Sequence, residues 1–86
     1  MKLKNVIKFF EPYDNVVIHV HYNSNNTICC EEFAYEGSVE KIPWTMLDYE
    51  LYNDFENEIY GISARNYGEE DDVQKAGFII NLFETD

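Results

Sequence analysis

Three side chains among the first 30 residues have the chemistry of metal ligands or of a nucleophile with its base. His19 and His21 are two residues apart, and Cys30 follows nine positions later. On an extended strand the two imidazoles share a face. If Tyr22 pairs with Thr27 across a turn at Asn23–Asn26, His21 faces Ile28 and His19 faces Cys30. Imidazole and thiolate are good zinc ligands, yet a paired-cysteine spacing is absent and no fourth ligand stands out. A thiol nucleophile needs a base and a group that orients the base, which makes Cys30 with His19 an incomplete set. Cys29 and Cys30 are adjacent and point to opposite faces of a strand, so a bond between them requires strained geometry. The plain expectation is half-exposed strand residues, with no catalytic group, no metal and no cofactor.

Carboxylates form the second chemical group. Asp54, Glu56 and Glu58 alternate, and Glu69, Glu70, Asp71 and Asp72 are contiguous. Neither set has the glycine and closing glutamate of a calcium loop. A sugar cleft flanked by paired acids has little room in 86 residues. No glycine-rich phosphate loop or serine elbow is present. On a strand, carboxylates at i and i+2 are about 6.8 Å apart, close to the step between nucleic-acid phosphates. An acidic face of that kind can occupy a Lys/Arg groove, and long-range steering speeds its association.

The whole chain shares this bias. Seventeen acidic residues stand against six basic ones, a net charge of −11. Residues 1–30 hold Lys2, Lys4 and Lys8 against Glu11 and Asp14, whereas residues 31–86 hold fifteen acids against Lys41, Arg65 and Lys75. Direct binding to DNA or RNA is excluded by such a charge. The apolar runs are too short to span a membrane, and no signal peptide is visible at the start of the chain. Two adjacent cysteines make no secreted disulfide framework, which points to a reducing bacterial cytoplasm.

The elements that must position these groups are those of one small domain covering 1–86. Leu3, Val6, Ile7 and Phe10 have helical spacing, ended by Pro12. Val16 to Tyr22 alternates as a strand with Val16, Ile18, Val20 and Tyr22 on one face. A return strand runs from Thr27 to about Tyr35, with a bend at Glu36-Gly37-Ser38 and Val39 to Ile42 as its extension. Pro43 suits the first turn of a second helix, with Trp44, Leu47, Leu51 and Phe55 as its buried stripe. Glu58 to Arg65 reads as a third strand and Asn66 to Lys75 as a solvated connection. Gly77 to Phe83 is the last strand, with Phe78, Ile80 and Leu82 inward. The expected fold is α+β in the order α-β-β-α-β-β, a mostly antiparallel four-stranded sheet with two helices on one face.

Three segments carry a resemblance. The run from Leu3 to Ile18 (L-K-N-V-I-K-F-F-E-P-Y-D-N-V-V-I), the run from Ile42 to Leu51 (I-P-W-T-M-L-D-Y-E-L) and Ile62 to Ala64 (I-S-A) resemble small acidic proteins of Firmicutes, their prophages and mobile elements. Asn53 to Glu58 and Glu69 to Asp72 depart from that pattern as acidic additions. By size and charge the chain also resembles anti-CRISPR and related counter-defence inhibitors. That resemblance implies a non-enzymatic inhibitor that mimics DNA and blocks a basic nucleic-acid-binding protein, a CRISPR effector such as Cas9. The contact surface would take its charge from Glu50, Asp54, Glu56, Glu58, Glu69, Glu70, Asp71 and Asp72 and its anchors from Tyr49, Tyr52, Tyr60 and Tyr67. The alternatives are a prophage accessory or regulatory module that homodimerises through its sheet, and a metal-binding protein using His19, His21 and Cys30.

Overall fold

A computed structural model describes residues 1–66 and 76–84. Tyr67 and the acidic run Glu69–Asp72 lie outside the described residues. The elements are α1 (Leu3–Val6), β1 (Asn15–Ser24), β2 (Thr27–Ser38), β3 (Glu50–Leu51), β4 (Ile62–Asn66) and β5 (Ala76–Phe83). Single 3-10 turns at Ile7–Phe9, Val39–Lys41, Trp44–Met46 and Phe55–Asn57 connect them.

All five strands belong to one sheet. β1 pairs antiparallel with β2 on one side and parallel with β5 on the other. The far edge of β5 is shared end to end: β4 pairs with Ala76–Ile80, and β3 with Leu82 and Phe83. The sheet therefore holds five strands rather than the four that the sequence pattern predicts, because β3 and β4 share one edge. Its centre is a parallel pair, which that pattern does not show. The parallel register sets Val16 beside Phe78, Ile18 beside Ile80 and Val20 beside Leu82. Period-two alternation then places all six on one face. Leu3, Val6, Val39 and Ile42 cover that face, and Ile7, Phe10, Met46, Leu47 and Leu51 pack around them. Leu3, Val16, Ile18, Ile80 and Leu82 are fully buried.

The second helix expected over Pro43 to Phe55 is absent, and one α-helix is described. Trp44 is 77% exposed and Phe55 68%, so the expected stripe does not share one face. The carbonyls this segment would need for its own helical ladder are engaged elsewhere. Those of Leu47 and Tyr49 accept the Lys4 and Leu3 N–H groups at 2.9 Å. These are the donors that a helix start leaves without intrahelical partners. The Leu51 N–H donates to Met1 O at 2.8 Å, and the Tyr52 N–H to Asn81 O at 2.9 Å. Thr, Tyr, Asn and Asp are weak helix formers, so tertiary bonding prevails over a marginal helix.

Further expectations are corrected. The β1–β2 turn is two residues, not four: Asn25 and Asn26 adopt φ of 52° and 64°, and Ser24 pairs with Thr27. Positive φ at both central positions makes the turn that matches strand twist, and asparagine tolerates it. The extra rungs shift the register by two, so His21 faces Cys30 and Asn23 faces Ile28. Secondly, the strand expected from Glu58 begins at Ile62, because Asp54–Ile59 form a tight loop with Glu58 at φ 60°. The expected bend at Glu36–Ser38 is instead the end of β2, and Val39–Lys41 is a 3-10 turn rather than a strand extension.

Candidate functional site

The face of the sheet opposite the main core carries the polar chemistry. Val17, His19 and His21 of β1 alternate onto it, and the parallel register sets Ile79, Asn81 and Phe83 of β5 beside them. Cys30 joins from β2 and Ser63, opposite Ile79, from β4. This face holds a groove of about 420 Å³. His19, His21, Ile79 and Asn81 form its floor. Cys30 and Glu32 stand on the β2 side, and Glu58, Ile59 and Tyr60 on the side of the 54–59 loop.

His21 is only 6% exposed, and its environment fixes its role. Asn81 Nδ2 donates to the Tyr60 carbonyl at 2.8 Å, which turns Asn81 Oδ1 toward His21 Nε2 at 2.9 Å. That oxygen can only accept, so the network assigns the proton to Nε2. Cys30 Sγ lies 3.9 Å from the same nitrogen. Thiol, imidazole and amide thus meet, but the imidazole nitrogen nearest the thiol carries the proton donated to Asn81 and offers the thiol no lone pair. Partial burial of the sulfur, then the charges of Glu32 and Glu31, push the Cys30 thiol above its ordinary pKa. A thiol held protonated beside a donor is not an activated nucleophile. Tyr52 stacks on His21 at 4.6 Å between centroids and on Phe83 at 5.5 Å, locking the ring.

His19 is held differently. Between Ile18 and Val20 the β1–β2 register slips, and β2 bulges around the residue. Phe33 takes φ 58° there, donates its N–H to His19 Nδ1 at 3.4 Å and sets its ring edge-on to the imidazole. The two-residue turn sets Cys30 opposite His21, and the bulge brings Phe33 to His19. Among the described residues no three His, Cys, Asp or Glu side chains converge as a set of metal ligands.

The proposed contact residues fall in three places. Tyr49 packs against the core, and Glu50 of β3 accepts the N-terminal amine at 2.9 Å. That hydrogen bond, then the amine's charge and Lys2, hold the Glu50 carboxyl below the usual carboxylate range. Tyr52 belongs to the His21 stack. Asp54, Glu56, Glu58 and Tyr60 gather on and beside one loop, where Asn57 donates to Asp54 at 2.8 Å and Tyr60 stacks on Phe55 at 5.6 Å. Because this segment turns rather than extends, the strand spacing of phosphates does not apply to Asp54, Glu56 and Glu58.

The sequence reading missed Glu32 and Asn81. The signal for Asn81 is a lone polar residue inside an apolar strand, out of phase with Phe78, Ile80 and Leu82. Its importance follows only from the parallel register that sets it beside His19. Compared with family models, with curated proteins and with solved structures, the chain matches none.

Proposed function

We propose that this protein is a non-enzymatic binding module of the bacterial cytoplasm that engages a basic nucleic-acid-binding protein through its carboxylates. The partner class is a counter-defence target, a CRISPR effector such as Cas9, whose Lys/Arg channel an acidic protein can fill in place of DNA. One observation carries the reading: the negative charge is not neutralised internally. Among the described residues, ion pairs involve only Asp48 and Glu50, which meet Lys2, Lys4 and the N-terminal amine. Glu31, Glu32, Glu36, Glu56 and Glu58 are exposed. Self-repulsion of this size costs stability, which a cationic partner would relieve. The Cys30–His21–Asn81 geometry supports a binding role over thiol catalysis.

The test is binding to, and inhibition of, a guide-loaded Cas9 across a salt series. Affinity that falls steeply from dilute buffer to high salt supports the reading, and no association in dilute buffer overturns it. Replacing Glu69, Glu70, Asp71 and Asp72 together by their amides should weaken binding at least tenfold, about 1.4 kcal/mol.

A second reading, a module that dimerises through its sheet, draws on β2. It is a twelve-residue edge strand whose outer side pairs with no strand among the described residues. Such edges invite pairing, although Glu31, Glu32 and Glu36 would face their own copies. Light scattering decides it: a stable dimer with no effect on any nuclease favours this reading.

A further inference from the structure

We propose that the groove on the open face of the sheet seats one arginine of an extended partner segment, with its guanidinium between Glu32 and Glu58 and against the Tyr60 ring. The inference rests on the acidic-module reading and moves the contact from the 50–72 stretch to two walls that are distant in sequence.

The balance of hydrogen-bonding groups selects a donor ligand. Asn81 Nδ2 is engaged by the Tyr60 carbonyl, His21 Nε2–H by Asn81 Oδ1, and His19 Nδ1 by the Phe33 N–H. The exposed charged groups on the walls are the carboxylates of Glu32 and Glu58, one from β2 and one from the 54–59 loop. The Cys30 thiol on the β2 wall senses the field of that wall, since Glu32 and Glu31 help to raise its pKa. An anionic ligand would meet this field unfavourably. A second copy of the chain is a poor occupant for the same reason: it also carries −11, and Lys2 and Lys4 are paired with Asp48.

Size and lining select arginine. At about 420 Å³ the groove is at the small end of ligand sites, right for a side chain with its adjoining backbone. It also presents Ile79 on its floor and, on one wall, Ile59 and the half-exposed Tyr60 ring, itself backed by Phe55. A guanidinium is planar, weakly hydrated, stacks on aromatic faces and offers a fork of donors to carboxylates. A compact, strongly hydrated ammonium gains less from such walls.

The probe is a capped six-residue peptide with one central arginine among glycine and serine, titrated into the full chain and followed by amide NMR shifts. Shifts should centre on Cys30, Ser63 and Asn81. Glu32→Gln and Glu58→Gln should each weaken binding by about fivefold or more, while Glu11→Gln, an equal charge change on an exposed turn, should weaken it by less than about twofold. The lysine peptide should bind about threefold or more weakly than the arginine peptide. All three replaced side chains are exposed, so the variants should retain the wild-type circular dichroism. Equal losses from Glu11→Gln, equal binding of lysine, shifts centred elsewhere, or the same shifts on raising protein concentration alone would each overturn the proposal. If the Glu32→Gln/Glu58→Gln double variant binds a basic effector as the wild type does, the groove assignment fails and the acidic-module reading stands. If the wild type binds no basic effector, that reading fails, whatever the peptide shows.

Discussion

Asn81→Ala isolates the polar joint of the open face. The side chain makes two bonds, to His21 Nε2 at 2.9 Å and to the Tyr60 carbonyl at 2.8 Å. Removing it leaves the N–H of a buried imidazole without its acceptor, a loss of about 1–3 kcal/mol. Water entering from the groove holds the cost to the lower half of that range, and the exposed bond to Tyr60 adds about 0.5 kcal/mol. The sum is about 2 kcal/mol, or a fall in melting temperature of roughly 8–16 °C for a domain this small. The assay is urea unfolding followed by far-ultraviolet circular dichroism. Trp44 fluorescence is a poor probe, because that indole is 77% exposed in the folded chain. A second arm repeats the substitution in a His21→Phe background, which keeps a ring against Tyr52 and removes the orphaned donor. There Asn81→Ala should cost less than about 0.5–1 kcal/mol. A single-variant loss below about 0.5 kcal/mol, or an equal loss in both backgrounds, would refute the assigned hydrogen bond.

Other perturbations test separate elements. Leu82→Ala should destabilise by about 2–5 kcal/mol in the same unfolding assay, whereas Trp44→Ala should cost under about 0.5 kcal/mol; comparable losses would restore the amphipathic helix over 43–55. Glu32→Gln removes a charge that raises the Cys30 pKa, so alkylation of Cys30 by iodoacetamide at pH 8, read by peptide mapping, should quicken about two- to threefold; an unchanged rate contradicts that field. Because the Glu50 carboxyl is held low, the small stability it adds is present above its unfolded pKa and disappears as pH falls through the lowered folded value. Acetylating the N-terminal amine should return Glu50 to the ordinary range in an NMR titration, and an unmoved titration curve would remove the ion pair from the account.

What was legible in the sequence is local. Strand β1 is written in the alternation of Val16, Ile18 and Val20, and the inward set of β5 in Phe78, Ile80 and Leu82. The first helical turn is visible in Leu3, Val6, Ile7 and Phe10. What misled was equally local. Four polar residues at Asn23–Asn26 suggest a long loop, but positive φ is needed only at Asn25 and Asn26, so Asn23 and Ser24 remain in the strand. Trp44, Leu47, Leu51 and Phe55 keep helical spacing, yet carbonyls in that stretch bond the N-terminal segment and Leu51 joins the edge of β5. The groove lay beyond sequence reasoning because its parts meet only through the parallel β1–β5 register and the β2 bulge at Phe33. No local pattern encodes either.

The pairing of Ile18 with Ile80 has a consequence for how the chain folds. Its central ladder joins residues about sixty positions apart, and closing so long a loop precedes any reward from the contacts it makes. The β1–β2 hairpin, with its two-asparagine turn, can form early, but one side of β1 stays bare until β5 arrives. During synthesis on a ribosome this leaves an apolar ribbon waiting for β5 to be translated. Collapse should then come late and all at once rather than stepwise.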